Sequence, residues 1–185
     1  MTTNKKIIIA LVGEFASGKG AVVDHLVKKH HASSFRYSSI LRDLLGRLYL
    51  PVSRENIQNI SAAIRQFFGD DIMAKVITED VKNIKNNIVV VDGVRRTSDI
   101  TYLRNLKGFK LIRVVANQKI RYDRLTARNE NPGDKNKSYA QFLKDHENKS
   151  DADVPKVMTK ADLEINNDGD LVDLHKQIDE IILKS

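Results

Sequence analysis

The 185-residue chain has no cysteine, no tryptophan and only three prolines. Without cysteine there can be no disulfides and no thiolate metal sites, which fits a reducing compartment. No stretch of about 18 consecutive apolar residues occurs, so no bilayer span is expected. The first apolar run, "IIIALVG" at residues 7–13, follows a short polar start and has no small-residue cleavage site. It reads as a strand rather than a signal peptide, and a cytoplasmic protein is expected. Aromatics are scarce as well, at 6%. Nucleic-acid surfaces interleave basic residues with exposed aromatics. The formal charge of +7 therefore points to small phosphates more than to nucleic acid. The arginines are also localised: seven of the twelve fall between Arg95 and Arg128, and none follows.

What is present suits one domain with one substantial core. Hydrophobic residues make up 41% and charged residues 30%. Residues 5–12, "KKIIIALV", predict a strand buried on both faces. Residues 19–30 predict a helix with Ala21, Val22, Leu26 and Val27 on its inner face and lysines in its last turns. "SSFRYSS" predicts a short strand and loop. Helices follow over "SILRDLLGRLY" and, with Ser53 as its cap, over "SRENIQNISAAIRQFFG". "DDIMAKVITEDVKNIK" predicts another helix and "NNIVVVDGVRR" a strand entering a tight turn. "SDITYLRNLKG" reads as a short helix ending at Gly108, "FKLIRVVAN" as a strand and "QKIRYDRLTARN" as a helix. "NPGDKNKS" reads as a turn, "YAQFLKDHENK" as a helix, "ADLEINND" as a short strand and residues 169–185 as an amphipathic helix. Alternating strands and helices predict an α/β protein in three layers with a mostly parallel sheet. No internal repeat or long linker calls for a second domain.

Residues 13–19, "GEFASGK", match G-x-x-x-x-G-K between an apolar strand and a helix. In that context glycines let backbone N–H groups turn around a phosphate, and the helix N-terminus adds its dipole. Lys19 would reach the β- and γ-phosphates. The simpler alternative is a tight turn with a surface lysine. The usual serine or threonine after the lysine is replaced by Gly20, and Ala21 follows. Mg²⁺ can keep several waters and take other oxygens from phosphates, so no protein hydroxyl is required. Asp92 ends an apolar strand, where α/β ligand sites cluster, and could hold a metal-bound water. Alternatively it caps a turn. Arg121, Arg124 and Arg128 share a helix face, which is costly unless anions answer them. Asp123 and Glu130 could answer in part.

The loop resembles that of the adenylate kinase-like nucleoside monophosphate kinases, whose loop reads G-K-G. With alanine next, it resembles most the archaeal-type branch related to adenylate kinase and to dephospho-CoA kinase. The resemblance implies a three-layer P-loop kinase fold over residues 1–185, binding ATP and Mg²⁺ and acting on small-molecule nucleotides as a monomer or weak homodimer. It places the nucleotide on Gly13, Glu14, Ala16, Ser17, Gly18, Lys19, Gly20 and Ala21. "VVVDGVRRT" resembles the family's D-G-F-P-R-T through Asp92, Gly93, Arg96 and Thr97, which implies Asp92 as an outer-shell metal residue and Arg96 on the acceptor phosphate. "RLTAR" resembles the lid-opening R-L-x-x-R and implies that Arg124 and Arg128 clamp donor phosphates.

"YSSILRDLL" resembles T-G-D-x-L-R through Leu41 and Arg42, which implies Arg42 on the acceptor; a surface ion pair with Asp43 or Glu55 is the alternative. Arg65 and Gln66, in a segment similar to one in deoxynucleotide kinases, are further acceptor candidates. Residues 36–75 would form the acceptor-binding helical region. Residues 129–150 would form a short lid, in which Lys144, Asp145 and Glu147 weakly resemble R-D-x-x-E. Asn167 is a candidate beside the donor base. The implied reaction is ATP-dependent phosphoryl transfer to a nucleoside or deoxynucleoside monophosphate, with dephospho-CoA kinase or a non-kinase P-loop ATPase as alternatives. The five histidines show no metal-ligand spacing: His30 and His31 are adjacent, while His25, His146 and His175 stand alone. Each is expected on the surface or in packing, and no Ser–His–acid arrangement can be argued.

Overall fold

The computed structural model describes residues 6–128, 134–145 and 152–185, apart from the side chains of Arg128, Asp134 and Asp145. Five strands build its centre: β1 (Ile7–Val12), β2 (Ser33–Arg36), β3 (Ile88–Asp92), β4 (Phe109–Val115) and β5 (Leu163–Asn166). All pair in parallel in the order β2-β3-β1-β4-β5. The glycine-loop strand is therefore central, as a strand apolar on both faces should be. Its side chains alternate strictly. Ile8, Ala10 and Val12 join one core, while Ile9 and Leu11 join the other.

Helices cover both faces and complete the three layers. On one side lie α1 (Lys19–His30) and α8 (Leu171–Leu183), which contribute Val22, Leu26, Leu174 and Ile178. On the other lie α2 (Tyr37–Arg47) and α4 (Ile72–Asn83), which contribute Leu41, Met73, Ile77 and Val81. Between them runs α3 (Arg54–Phe68), capped as expected by Ser53, whose hydroxyl accepts the Asn56 N–H at 3.1 Å. It buries no residue fully, and Phe67 and Phe68 stay exposed. Beyond β4 come α5 (Gln118–Arg128) and α6 (Tyr139–Asp145).

Several elements depart from the sequence reading. Residues 97–105 form two 3₁₀ turns, Thr97–Ile100 and Leu103–Asn105, in place of the expected short helix. Asp99 explains the first: its Oδ2 accepts the N–H groups of Arg95 and Arg96, both at 2.9 Å, and a side chain bonded to nearby backbone competes with a helix. A short helix, α7 (Val154–Met158), had no counterpart in the reading and buries Val154 and Val157. On α1, Val22 and Leu26 are buried as expected, but Val27 is exposed and His25 takes its place on the inner face. The cause is α8: its His175 ring stacks on His25 at 3.9 Å and its Asp179 accepts from His25. The histidines are therefore not isolated, as the sequence had suggested. His25, His30 and His175 meet at one helix–helix junction, while His146 lies outside the described residues.

Candidate active site

The loop from Gly13 to Gly18 leaves the carboxyl end of β1 and enters α1. Gly18 takes a left-handed conformation with φ 97°, the region where L side chains are strained. A Cβ there would also collide with the Asn167 amide, and one at Gly13 with the Val114 carbonyl. Ala16 is left-handed as well, at φ 60°. The Lys19 ammonium folds back over the loop and donates to the carbonyls of Gly13 at 2.6 Å and Glu14 at 3.0 Å. Ser17 is buried, and its hydroxyl has no hydrogen-bond partner among the described residues. Glycine positions that a side chain would fill, a helix N-terminus, a lysine over the loop and an unanswered hydroxyl form a donor set that fits a polyphosphate.

Two side chains brace this loop from outside. The Asn167 amide is buried and donates to the Ser17 carbonyl at 2.8 Å. In turn the Asn167 carbonyl accepts from Arg124 Nη1 at 2.8 Å, and Arg124 Nη2 reaches the Gly169 carbonyl at 3.3 Å. Arg121 is the second brace. Its guanidinium, 4% exposed, donates to the carbonyls of Phe15 and Ala116, both at 3.2 Å, and pairs with Glu14 Oε2 at 3.1 Å. It also lies 5.7 Å from the centre of the fully buried Phe142 ring, which packs with Ala16 and Leu125 beneath the loop. The sequence reading placed Arg121 on the arginine face but gave it no role. Arg128 carries a side chain outside the described residues, as does Asp145, and Glu130 and Glu147 lie outside them entirely.

On β3, beside the loop strand, and on β2 beyond it, Asp92 and Arg36 stand at paired positions. Asp92 Oδ2 accepts from Arg36 Nε at 3.0 Å and pairs with Nη2 at 2.8 Å, while Oδ1 accepts the Gly93 N–H at 2.7 Å. The sequence reading missed Arg36. Its one signal was a charged residue closing a short strand; the sheet order alone puts that strand beside the Asp92 strand. Asp92 and Arg36, with Val23, Ser34, Phe35 and Ser39, line a cleft of ≈ 190 Å³. For a magnesium ion the loop offers little: Gly20 and Ala21 have no side-chain oxygen, Glu14 is paired with Arg121, and the Asp92 carboxylate stands at the end of the adjacent β3.

Two of the acceptor candidates, Arg96 and Arg65, share Asp70 as a neighbour. Arg96 pairs with exposed Asp70 at 3.6 Å. Arg65 also turns to Asp70, donating to its carbonyl, and lies 3.4 Å from Asp99 Oδ1. Its Nε is buried with no partner among the described residues. Asp99 additionally receives the buried Tyr37 hydroxyl through its carbonyl. Burial, and then the Asp99 charge, push the Tyr37 phenol far above its ordinary value. Arg42 is exposed, with no ion pair to Asp43 or Glu55. Gln66 is exposed on α3.

Proteins similar to this chain include a UPF0200 protein of Thermococcus onnurineus, 27% identical over 183 residues that cover 96% of this chain and 97% of the relative. A UPF0200 protein of Staphylothermus marinus is 25% identical over 97% of this chain and 93% of its own. Among solved structures, shikimate kinase from Bacteroides thetaiotaomicron superposes with a TM-score of 0.67 at 16% identity, over 97% of this chain and 99% of that one. Shikimate kinase from Aquifex aeolicus superposes at 0.55 and 16% identity, over 96% and 97%. At such identities these structures establish the fold alone, a three-layer α/β domain shared with those kinases. Residues 9–155 match the family model described as AAA domain, and the chain belongs to that family.

Proposed function

We propose that this protein transfers the γ-phosphoryl group of ATP to a nucleoside or deoxynucleoside monophosphate. The observation that carries the reading is the Gly13–Lys19 loop at the start of α1, with Lys19 folded over it and Asp92 at the end of the neighbouring β3. An oxygen of the acceptor phosphate would attack the γ-phosphorus in line, and ADP would leave. Such transfer needs positioning and charge stabilisation rather than a covalent enzyme intermediate. Lys19 and the loop amides hold the donor phosphates, and Arg124 and Arg128 neutralise charge as the phosphoryl moves. Magnesium bound with ATP supplies further charge neutralisation, and Asp92 is the carboxylate available to its water shell.

Arg42 and Arg96 orient the acceptor phosphate. Arg42 is exposed. Among the described residues Arg96 makes an ion pair of 3.6 Å to a largely exposed aspartate, the kind of contact a phosphate displaces at little cost. Residues 36–75 act as the acceptor-binding region and 129–150 as the short lid.

The test is ATP consumption with a panel of nucleoside and deoxynucleoside monophosphates, dephospho-CoA and shikimate. It is run with the native protein and with Lys19→Ala, Arg42→Ala and Arg96→Ala. Transfer to a monophosphate, abolished by the lysine change and given a higher acceptor KM by either arginine change, supports the reading. Transfer only to dephospho-CoA or shikimate moves the protein to another kinase class. ATP hydrolysis independent of every acceptor makes it a P-loop ATPase.

A further inference from the structure

On the α1–α8 side of the sheet, His25 Nε2 lies 2.8 Å and His30 Nε2 2.7 Å from a single oxygen, Oδ1 of Asp179. His25 is 8% exposed, and the side chains of His30 and Asp179 are 18% and 25% exposed. The three ligand atoms lie within 4.8 Å of one another. His175, one helical turn before Asp179, stacks its ring on His25. Lys29 closes the solvent side, with its ammonium 2.8 Å from the other oxygen of Asp179. We propose that His25, His30 and Asp179 form a transition-metal site that takes Zn²⁺ or a similar borderline cation and clamps α1 to α8.

Zinc bound at about 2.0–2.2 Å from nitrogen and oxygen ligands holds tetrahedral neighbours about 3.3 Å apart. The two Nε2–Oδ1 separations are about half an ångström shorter than that, a difference side-chain rotation can supply. With the metal absent, each imidazole must carry its proton on Nε2 to donate to Oδ1. Metal entry moves that proton to Nδ1 or to solvent and gives the ion two neutral imidazoles and one carboxylate. The second oxygen of Asp179 keeps Lys29, so the carboxylate remains oriented by a hydrogen bond, as metal-bound carboxylates are. An N₂O donor set favours zinc, cobalt or nickel over magnesium and calcium, which take oxygen ligands. This separates the site chemically from the nucleotide-bound magnesium.

The clamp joins α1, which begins at the loop, to α8, whose leading segment reaches the loop. Lys19 opens α1, and the segment leading into α8 carries Asn167 and Gly169. A metal here should therefore stabilise the fold around the loop without touching nucleotide. The inference does not depend on the proposed reaction, since its readout is metal binding.

The experiment titrates Zn²⁺ into the full chain after chelator treatment, without nucleotide, by calorimetry, and Co²⁺ by visible absorption. One equivalent is expected to bind, with the absorption of a low-coordinate imidazole–carboxylate cobalt site and a rise in Tm. His30→Gln and the pair His25→Gln/His30→Gln should weaken binding at least about tenfold. His31→Gln, which changes an exposed neighbouring imidazole, should bind as the native chain does. His30 sits at the helix end, so its single substitution keeps the test valid if the double variant fails to fold. Binding that is equally tight in His30→Gln, or no stoichiometric binding to the native chain, overturns the proposal and leaves an ion-pair cluster only.

Discussion

Arg36 and Asp92 end adjacent parallel strands in register, and the arginine sets two nitrogens, at 3.0 and 2.8 Å, on the same carboxylate oxygen. The guanidinium side is half open to solvent while the carboxylate is nearly buried. Such a pair fixes the direction of the carboxylate more than it stabilises the fold, because solvent screens the exposed partner.

Asp92→Asn is expected to lower transfer about 10²-fold, or ~2.7 kcal/mol, while metal-free ATP binding stays within about twofold. Arg36→Gln should lower transfer less and shift unfolding by under ~1 kcal/mol. Steady-state kinetics alongside calorimetric ATP titration checks both. Equal, small losses of transfer and of ATP binding for Asp92→Asn would make Asp92 a structural turn residue.

Arg121 supports the loop through the backbone carbonyls of Phe15 and Ala116 and the carboxylate of Glu14. Arg121→Leu should cost about 1–3 kcal/mol, because buried acceptors lose their donor, and should weaken ATP binding through a loosened loop. Arg121→Lys should recover little, since a point charge cannot serve three acceptors that a planar fork serves. Thermal unfolding with and without ATP reads this. Native Tm and native ATP affinity in Arg121→Leu would show the brace to be dispensable.

Gly20 is not required by space: a Cβ there meets nothing within 4 Å. It lies in the first turn of α1, where serine is favoured over glycine by roughly 0.5 kcal/mol. Gly20→Ser should therefore leave Tm unchanged or slightly raised, and should lower the Mg²⁺ concentration needed for half-maximal activity by offering a hydroxyl ligand. A fall in Tm or lost ATP binding would mean that the missing hydroxyl is sterically enforced.

Tyr37 gives a pH signature. Its phenol is raised in the folded state by burial first and the Asp99 charge second. The unfolded phenol ionises near pH 10, as a free tyrosine does. Below that pH the contribution of Tyr37 is complete; above it the unfolded state loses a proton that the folded state keeps, so stability falls as pH rises. Tyr37→Phe should cost about 1 kcal/mol at pH 7 for the lost bond to the Asp99 carbonyl. The gap between variant and native protein should narrow above pH 10. Urea midpoints at pH 7, 9 and 10.5 measure it; a gap that stays constant would contradict a raised phenol.

What the sequence determined by itself was local. The double-faced apolar runs at 7–12, 88–92 and 109–115, the Ser53 cap and the glycine–lysine loop each depend on residues a few positions apart, and each appears where its pattern placed it. Even there, the turn at 97–105 escaped, because Asp99 bonds its own backbone in a way helical periodicity does not reveal. Tertiary structure alone decided the long-range pairs. Arg36 meets Asp92 across 56 positions, Asn167 meets the Ser17 carbonyl across 150, and His25 meets Asp179 across 154. Strand order and helix packing create these contacts. Arg36, Asp179 and His25 look like ordinary solvated charges or a lone histidine until the sheet closes and removes water that would otherwise satisfy them.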